Sequence, residues 1–181
     1  MDILAITGSL RRQSFNSSLV RAAGAAAPGD MAVSLFSRLG EIPPYNDDEK
    51  EQEIPKAVID LAEQIRAADG VLIATPEYNY GVPGVLKNAI DWLSRVPEQP
   101  FRDKPIGILG AAMGNLGTAR AQYDLRRVFI FLEGLVMNRP EVFVGTAHQK
   151  FDDSGALTDD NTREFLTDYM TAFQAWIDKV G

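Results

Sequence analysis

Near its first residue the chain reads Ile3-Leu4-Ala5-Ile6-Thr7-Gly8-Ser9-Leu10-Arg11-Arg12-Gln13-Ser14-Phe15-Asn16-Ser17-Ser18, followed by Leu19-Val20-Arg21-Ala22-Ala23. The apolar run before Thr7 predicts a buried first strand, and the residues after Ser18 predict the start of a helix. The stretch between them has five hydroxyl groups, two arginines and one glycine. Such a loop at a helix N-terminus suits an anion, because hydroxyl, guanidinium and backbone N–H groups all donate hydrogen bonds towards it.

Two common phosphate-binding patterns do not match this loop. The P-loop pattern G-x-x-x-x-G-K-[ST] requires a second glycine and a lysine, which are missing here. Counting from Gly8, the dinucleotide pattern G-x-G-x-x-G requires glycines where Leu10 and Gln13 stand. The loop is therefore expected to hold a terminal phosphomonoester, which needs many donors around one group. The structural alternative is a plain helix N-cap, for which a single serine would suffice.

Short apolar runs alternate with longer helical patterns along the rest of the chain. Val71-Leu72-Ile73-Ala74 and Ile106-Gly107-Ile108-Leu109 are continuous apolar runs, which are typical of strands covered on both faces. This alternation predicts an α/β fold with a doubly wound parallel sheet between two helical layers. The predicted strands are Asp2–Thr7, Ala32–Phe36, Gly70–Thr75, Pro105–Ala111 and Val142–Val144, and the predicted helices are Ser17–Ala27, Pro55–Ala68, Val85–Val96, Thr118–Glu133 and Thr162–Val180.

Length and composition limit the classes of function. With 181 residues, 45% of them hydrophobic and 24% charged, the sequence predicts a single globular domain over residues 1–181. The net charge of −7 disfavours a nucleic-acid partner, which binds a basic face. The chain has no cysteine, and its single histidine, His148, has no neighbouring metal ligand, so no metal site is expected. No apolar run approaches the ~20 residues of a membrane span and no signal peptide is evident, which predicts a cytoplasmic protein without membrane insertion.

Two irregular stretches interrupt the alternating pattern. Arg38–Glu53 is predicted as a long loop, either solvated surface or part of a site or interface. Gln149–Asp160 contains Asp152-Asp153-Ser154-Gly155, which lacks the alternating ligands and the glutamate of a calcium loop. A plain turn is expected there.

A second loop with binding chemistry follows the third predicted strand. It reads Thr75-Pro76-Glu77-Tyr78-Asn79-Tyr80-Gly81-Val82-Pro83-Gly84. If the strand order is 2-1-3-4-5, the loops after the first and third strands lie side by side at the carboxyl edge, where doubly wound sheets bind ligands. The tyrosines and the constrained backbone suit a planar heterocycle, although a turn-rich loop without a ligand has the same composition.

These motifs together resemble the NADPH-dependent FMN reductases, and within that family the bacterial quinone and chromate reductase branch. The resemblance rests on Gly8-Ser9-Leu10-Arg11-x-x-Ser14-Phe15-Asn16, on Pro76-Glu77-Tyr78-Asn79 and on Gly84-Val85-Leu86-Lys87-Asn88-Ala89-Ile90-Asp91-Trp92. It implies a flavodoxin-like fold with a five-stranded parallel sheet of order 2-1-3-4-5 in a three-layer α/β/α sandwich.

The resemblance also implies a role for particular positions. Ser9, Arg11, Ser14, Phe15 and Asn16 would surround the FMN phosphate. The isoalloxazine ring would be lined by Pro76, Glu77, Tyr78, Asn79, Ala112, Met113 and Gly114. Members are typically tetramers built from dimers, and the implied interface residues here are Arg120, Tyr123 and Glu141.

The implied activity is that of an FMN-dependent NAD(P)H oxidoreductase with a ping-pong mechanism. Hydride would pass from NADPH or NADH to bound FMN and then to a small soluble acceptor such as a quinone, a flavin, an azo or nitro compound, or chromate. Because the cofactor carries this chemistry, no catalytic side chain is predicted. Two alternatives stay open at this point: a flavodoxin-type electron carrier without turnover of its own, which the acidic balance permits, and a phosphate-ligand sensor or structural protein with no redox role.

Overall fold

The computed structural model describes all residues from Met1 to Gly181 and contains one sheet of six parallel strands. Its order is β2-β1-β3-β4-β5, and β6 also pairs with β4. This is the predicted 2-1-3-4-5 arrangement, so the flavodoxin-like fold class is confirmed. The strands are β1 (Asp2–Thr7), β2 (Ala32–Phe36), β3 (Gly70–Ala74), β4 (Pro105–Ala111), β5 (Leu135–Val136) and β6 (Val142–Val144).

Helices cover both faces of the sheet. They are α1 (Phe15–Ala25), α2 (Asp47–Lys50), α3 (Lys56–Ala67), α4 (Gly84–Leu93), α5 (Ala119–Phe131) and α6 (Asp160–Val180). Apolar residues of α3, α4 and α5 form one core with alternate residues of the central strands, and α1 and α6 form the other core with the remaining ones. The predicted stripe on α3, formed by Val58, Leu61, Ala62 and Ile65, is fully buried.

The continuous apolar runs predicted as central strands occupy the middle of the sheet. Every residue of β3 and β4 is buried. In register, Ile73 lies opposite Ile6 on one side and Ile108 on the other. Both faces of these strands need apolar cover, which explains why their sequences do not alternate with polar residues.

The sequence predicted a single strand, Val142–Val144, at the fifth position of the sheet, but two short strands occupy it. It is shared by β5, which pairs with the start of β4, and β6, which pairs with its end. Between them the Tyr169 hydroxyl of α6 donates to the Ile108 carbonyl oxygen at 3.0 Å. An added Cβ at Gly107 would lie 2.8 Å from that hydroxyl oxygen, so the glycine makes room for it. A strand of two residues is too short to leave a periodic signal in the sequence.

The long stretch Arg38–Glu53 is more ordered than the predicted loop. It contains the short helix α2 and a 3₁₀ turn. The side chains of Asn88 and Trp92 on α4 both donate to the Pro43 carbonyl oxygen, each at 2.8 Å. These two bonds hold the stretch against the edge of the core. No helix of the chain is both long and apolar enough to cross a bilayer.

Candidate functional site

The loop after β1 packs directly against the loop after β3. Gly8 donates its N–H to the Ala74 carbonyl oxygen at 3.0 Å. An added Cβ at Gly8 would lie 3.1 Å from Pro76 Cδ and 3.2 Å from Pro83 Cγ, which is tighter than ordinary contact. The only glycine between the first strand and the first helix therefore permits the close approach of the two loops that the sequence placed side by side.

Ser14 begins α1 as its N-cap. Its backbone is extended, and its Oγ accepts from the N–H groups of Asn16 at 3.2 Å and Ser17 at 3.4 Å. The N-cap alternative considered from the sequence thus describes this one serine correctly. The Phe15 N–H has no hydrogen-bond partner, so the helix still presents a free donor and its positive end to the loop.

Asn16 joins α1 to the end of β4. Its side-chain amide donates to the Ala111 carbonyl oxygen and accepts from the Ala111 N–H, both at 2.9 Å, and the residue is buried. The side chain is therefore directed at the strand. It fixes the helix N-terminus relative to the loop after β4, which makes Asn16 a positioning residue for the site.

The polar groups of the first loop leave donors free. The Ser9 hydroxyl accepts from the Arg11 N–H at 3.4 Å and lies 3.5 Å from the Tyr78 hydroxyl of the second loop. The Arg11 guanidinium contacts no carboxylate, and its Cζ lies 5.7 Å from the centre of the Phe15 ring. Thr7 is only 7% exposed, yet its Oγ1 has no hydrogen-bond partner. A buried hydroxyl without a partner is uncommon and marks a place where an acceptor belongs.

The second loop makes a tight turn at Tyr78–Gly81. Two backbone bonds close it, from Tyr78 N to Gly81 O at 3.2 Å and from Gly81 N to Tyr78 O at 3.0 Å. Asn79 and Tyr80 have φ values of 50° and 69°, as in a type I′ turn. A left-handed backbone costs a bulky residue such as Tyr80 about 1–3 kcal/mol, and such strain persists only where neighbouring contacts hold it.

Glu77 connects this turn to α5. Its side chain is 5% exposed, and its carboxylate accepts from Arg120 N at 3.0 Å, Arg120 Nε at 2.6 Å and Ala121 N at 3.2 Å. The hydrogen bond that the Arg120 guanidinium donates to Glu77 raises the pKa of Arg120. The Arg120 guanidinium also stacks 3.5 Å from the centre of the Tyr80 ring. Glu77 and Arg120, which the resemblance assigned to ring and interface separately, thus form one unit that holds the strained turn.

The loop after β4 supplies the third side of the site. Ala112 is anchored to the neighbouring segment by bonds from its N–H to Val144 O and from Ala147 N to its own carbonyl oxygen, both at 3.0 Å. The Met113 side chain is exposed, and an added Cβ at Gly114 would meet no atom within 4 Å. The loop therefore has a fixed base and an open, apolar tip.

The interface residues implied by the resemblance lie near one another on the surface. Tyr123 follows Arg120 by one turn of α5, and a hydrogen bond with Glu141 raises the pKa of Tyr123. Further along the same helix Ile130 and Phe131 are 78% and 83% exposed. The sequence did not single out these two residues, because isolated apolar residues at the end of an amphipathic helix are usual.

The arrangement fits a phosphomonoester attached to a planar ring. The loop after β1 offers free N–H, hydroxyl and guanidinium donors, and the loops after β3 and β4 offer an aromatic residue, fixed backbone and an apolar tip. All twelve residues that the sequence assigned to the cofactor come from these three loops or from the first turn of α1, at the carboxyl edge of the sheet. Asn16 and Glu77 direct their side chains at protein atoms and support the site from behind.

Comparisons with known proteins agree with this geometry. The family model described as NADPH-dependent FMN reductase matches residues 1–149. An NAD(P)H-dependent FMN reductase of Pseudomonas aeruginosa is 49% identical over 177 residues, covering 98% of this chain and 95% of that protein. A quinone reductase of Escherichia coli is 46% identical, covering 99% and 97%. The solved structure of FerB, a flavoenzyme NAD(P)H:(acceptor) oxidoreductase from Paracoccus denitrificans, has a TM-score of 0.90 at 34% identity, covering 99% and 98%.

Proposed function

Because the chain belongs to the NADPH-dependent FMN reductase family, we propose that it is an FMN-dependent NAD(P)H oxidoreductase that reduces quinones and other small soluble acceptors in a ping-pong reaction. The observation that supports this most directly is the meeting of three loops at the carboxyl ends of β1, β3 and β4, where a doubly wound sheet binds its ligand. Residues 1–181 act as one FMN-binding domain in this proposal.

The first loop and the start of α1 hold the phosphate. Ser9 and Arg11 donate from side chains, while Phe15 donates its free N–H at the positive end of the helix. Ser14 keeps the helix start in place by capping it, and Asn16 fixes it against β4. A dianionic phosphate is stabilised here although the whole chain carries a net charge of −7, because these donors are local.

The second and third loops hold the ring. Pro76, Tyr78 and Asn79 lie on one side, supported from behind by Glu77. Ala112, Met113 and Gly114 lie on the other side. When bound, FMN supplies acceptance and delivery of the hydride. The residues of the chain orient the ring, and the Glu77 carboxylate accepts hydrogen bonds from Arg120 and Ala121 at the start of α5.

The rim of the site suits a flat aromatic acceptor. Tyr78 and Met113, on the loops after β3 and β4, are both more than half exposed and provide apolar surface there. Relatives named quinone reductase and 2-hydroxy-1,4-benzoquinone reductase are 46% and 39% identical to this chain. We therefore assign quinones as the acceptor class. The similarity to these reductases also favours an enzyme over the electron carrier that the acidic composition permitted.

We propose that copies of the chain associate into a homo-oligomer through the exposed face of α5. Tyr123, Ile130 and Phe131 are exposed on this helix, and Arg120 and Glu141 lie beside Tyr123. A second copy of the chain would cover these apolar side chains, and a second, different contact would join two such dimers into the tetramer implied by the resemblance. The cytoplasmic location stays a prediction of the sequence.

The experiment that tests the function is an absorbance spectrum of the purified protein after incubation with FMN, followed by anaerobic titration with NADPH and then with a benzoquinone. We expect a bound flavin spectrum, rapid bleaching by NADPH alone and return of colour with the quinone. A flavin that stays oxidised until a separate reductase is added would identify a carrier. A protein that binds no FMN would refute the proposal altogether.

A further inference from the structure

The irregular stretch after β6, for which the sequence predicted a plain turn, contains a small hairpin that packs on α1. Phe151 and Leu157 pair as an antiparallel bridge at its base. The Asp152 N–H donates to the Ala156 carbonyl oxygen at 3.0 Å. The Asp152 carboxylate accepts from the N–H groups of Ser154 and Ala156, both at 2.9 Å. These bonds fix the shape of the hairpin, which we call the 151–157 hairpin.

The 151–157 hairpin is attached to two helices. On one side Arg163 of α6 donates to the Leu157 carbonyl oxygen at 2.7 Å. On the other side Gly155, with a φ of 82°, lies directly against α1. An added Cβ at this glycine would lie 2.6 Å from Ser18 Oγ and 2.9 Å from Arg21 Nη2. Only glycine fits such a backbone and such close contacts, so Gly155 sets the distance between the hairpin and α1.

The base of the hairpin contacts the first residue of α1. Phe151 is buried, and the centre of its ring lies 5.8 Å from the centre of the Phe15 ring, with 36° between the two planes. Aromatic rings attract one another when their centres are about 4.5–7 Å apart. Phe15 carries the free N–H at the start of α1, which the proposed function assigns to the phosphate. The hairpin therefore supports the residue that supplies this donor.

The same ring also positions a second phosphate donor. The Arg11 Cζ lies 5.7 Å from the centre of the Phe15 ring, within the range of a cation–π interaction. The Phe15 ring is partly buried and packs against the core that includes Phe151. Donors bind an anion well only when their own neighbours hold them to within about 0.5 Å. Both the Phe15 N–H and the Arg11 guanidinium thus depend on a ring that packs on the hairpin.

We propose that Phe151 is a positioning residue for the FMN phosphate. Through the Phe15 ring it keeps the free N–H of α1 and the Arg11 guanidinium in place, and Gly155 allows the hairpin to lie close enough to α1 to do so. The inference rests on the proposed function, because that function places the phosphate of FMN at these donors. It gives a role to a part of the chain that lies outside the three loops of the site.

The test compares FMN with riboflavin, which has the same ring and no phosphate. The dissociation constants of both are measured by flavin fluorescence for the unchanged protein and for Phe151→Leu, which keeps an apolar side chain but removes the ring. We expect the ratio of the riboflavin constant to the FMN constant to fall about two- to tenfold, the factor that one aromatic pair provides, while riboflavin binds as before. Phe173→Leu is the matched control, because Phe173 of α6 is buried in the same core. It should lower the Tm and leave the ratio unchanged.

A second variant moves the hairpin without changing Phe151. In Gly155→Ala the added Cβ would overlap Ser18 and Arg21, so the hairpin has to move away from α1. We expect the same fall in the ratio. Gly29→Ala is its control, since Gly29 also has a positive φ, of 23°, but an added Cβ there would meet no atom within 4 Å. This control should keep the ratio of the unchanged protein.

A second readout uses the FMN-loaded protein. The phosphorus-31 NMR signal of bound FMN should move towards that of free FMN in Phe151→Leu and Gly155→Ala, and should stay in place in both controls. A ratio or a signal in Phe151→Leu that matches the unchanged protein would overturn the proposal. Equal losses of affinity for FMN and riboflavin would also overturn it, since Phe151 would then support only the fold. Failure of the proposed function is seen separately, as an unchanged protein that binds FMN no more tightly than riboflavin or binds neither.

Discussion

Replacing Glu77 by Gln tests the unit that holds the strained turn beside the ring site. In the structure the carboxylate accepts three hydrogen bonds from Arg120 and Ala121 at the start of α5, and it also pairs with the Arg120 guanidinium. In the variant one oxygen becomes an NH₂ group that faces N–H donors, and the negative charge at the helix N-terminus is lost.

The size of the effect follows from these contacts. Hydrogen bonds to a charged group contribute about 1.5–3 kcal/mol and those to a neutral group about 0.5–1.5, so three weakened bonds lose roughly 3 kcal/mol. The lost interaction with the helix N-terminus adds up to ~1 kcal/mol. Arg120 is 39% exposed and regains water, which offsets part of this. We expect Glu77→Gln to lower the free energy of unfolding by about 3 kcal/mol, or the Tm by about 6–12 °C for a chain of this length.

The assay is thermal unfolding of FMN-free protein followed by circular dichroism, at one protein concentration so that oligomerisation does not alter the comparison. Glu63→Gln is the control, since Glu63 is an exposed glutamate of α3 and makes no hydrogen bond or ion pair. FMN affinity should fall in Glu77→Gln and stay unchanged in Glu63→Gln, because only the first variant loosens the Tyr78–Gly81 turn. A Tm for Glu77→Gln within about 2 °C of the control would refute the reasoning.

Three further variants test other parts of the structure. Arg11→Ala should weaken FMN binding by about 1.5–3 kcal/mol through loss of a charge-assisted contact, measured by flavin fluorescence; unchanged affinity would contradict the phosphate assignment. Phe131→Glu should shift the oligomer towards smaller species in sedimentation velocity, and an unaltered profile would show that this end of α5 is not an interface. The pKa of Asp159 is lowered by its hydrogen bonds from Thr162, so its stabilisation is present above the ordinary aspartate pKa of about 3.9 and is lost as the pH falls through the lower, folded-state pKa. Asp159→Asn should therefore lower the Tm at pH 7 and make little difference at strongly acidic pH, and a Tm difference independent of pH would be the contrary result.

The central part of the fold could be predicted because local patterns and burial agree there. The residues of β3 and β4 are apolar throughout, and both strands lie in the middle of the sheet. The stripe on α3 likewise identified a helix whose apolar face is buried. The end of the last helix at Val180 was predicted correctly, and the other predicted helix ends differ from the observed ones by one to three residues. Caps such as Ser14 are one reason, because they start a helix before its apolar pattern begins.

The supporting contacts of the site could not be predicted, because their partners are distant in the chain. Asn16 bonds Ala111 across 95 residues, and Glu77 bonds Arg120 across 43. Nothing local distinguishes these side chains from ones that face a ligand. The left-handed backbone at Tyr80 also has no sequence signal, since the arginine that stacks on this bulky residue, Arg120, is distant in the chain.

The Tyr169 hydroxyl that fills the gap between β5 and β6 has a consequence for solubility. Unpaired carbonyl groups on a sheet edge attract strands from other molecules, which is the usual first step of edge-to-edge aggregation. At the interrupted fifth position the chain lacks a strand residue opposite Ile108, and a buried phenol takes its place as the donor. A helix side chain therefore supplies the missing donor, so the broken outer strand leaves no unpaired carbonyl group at Ile108.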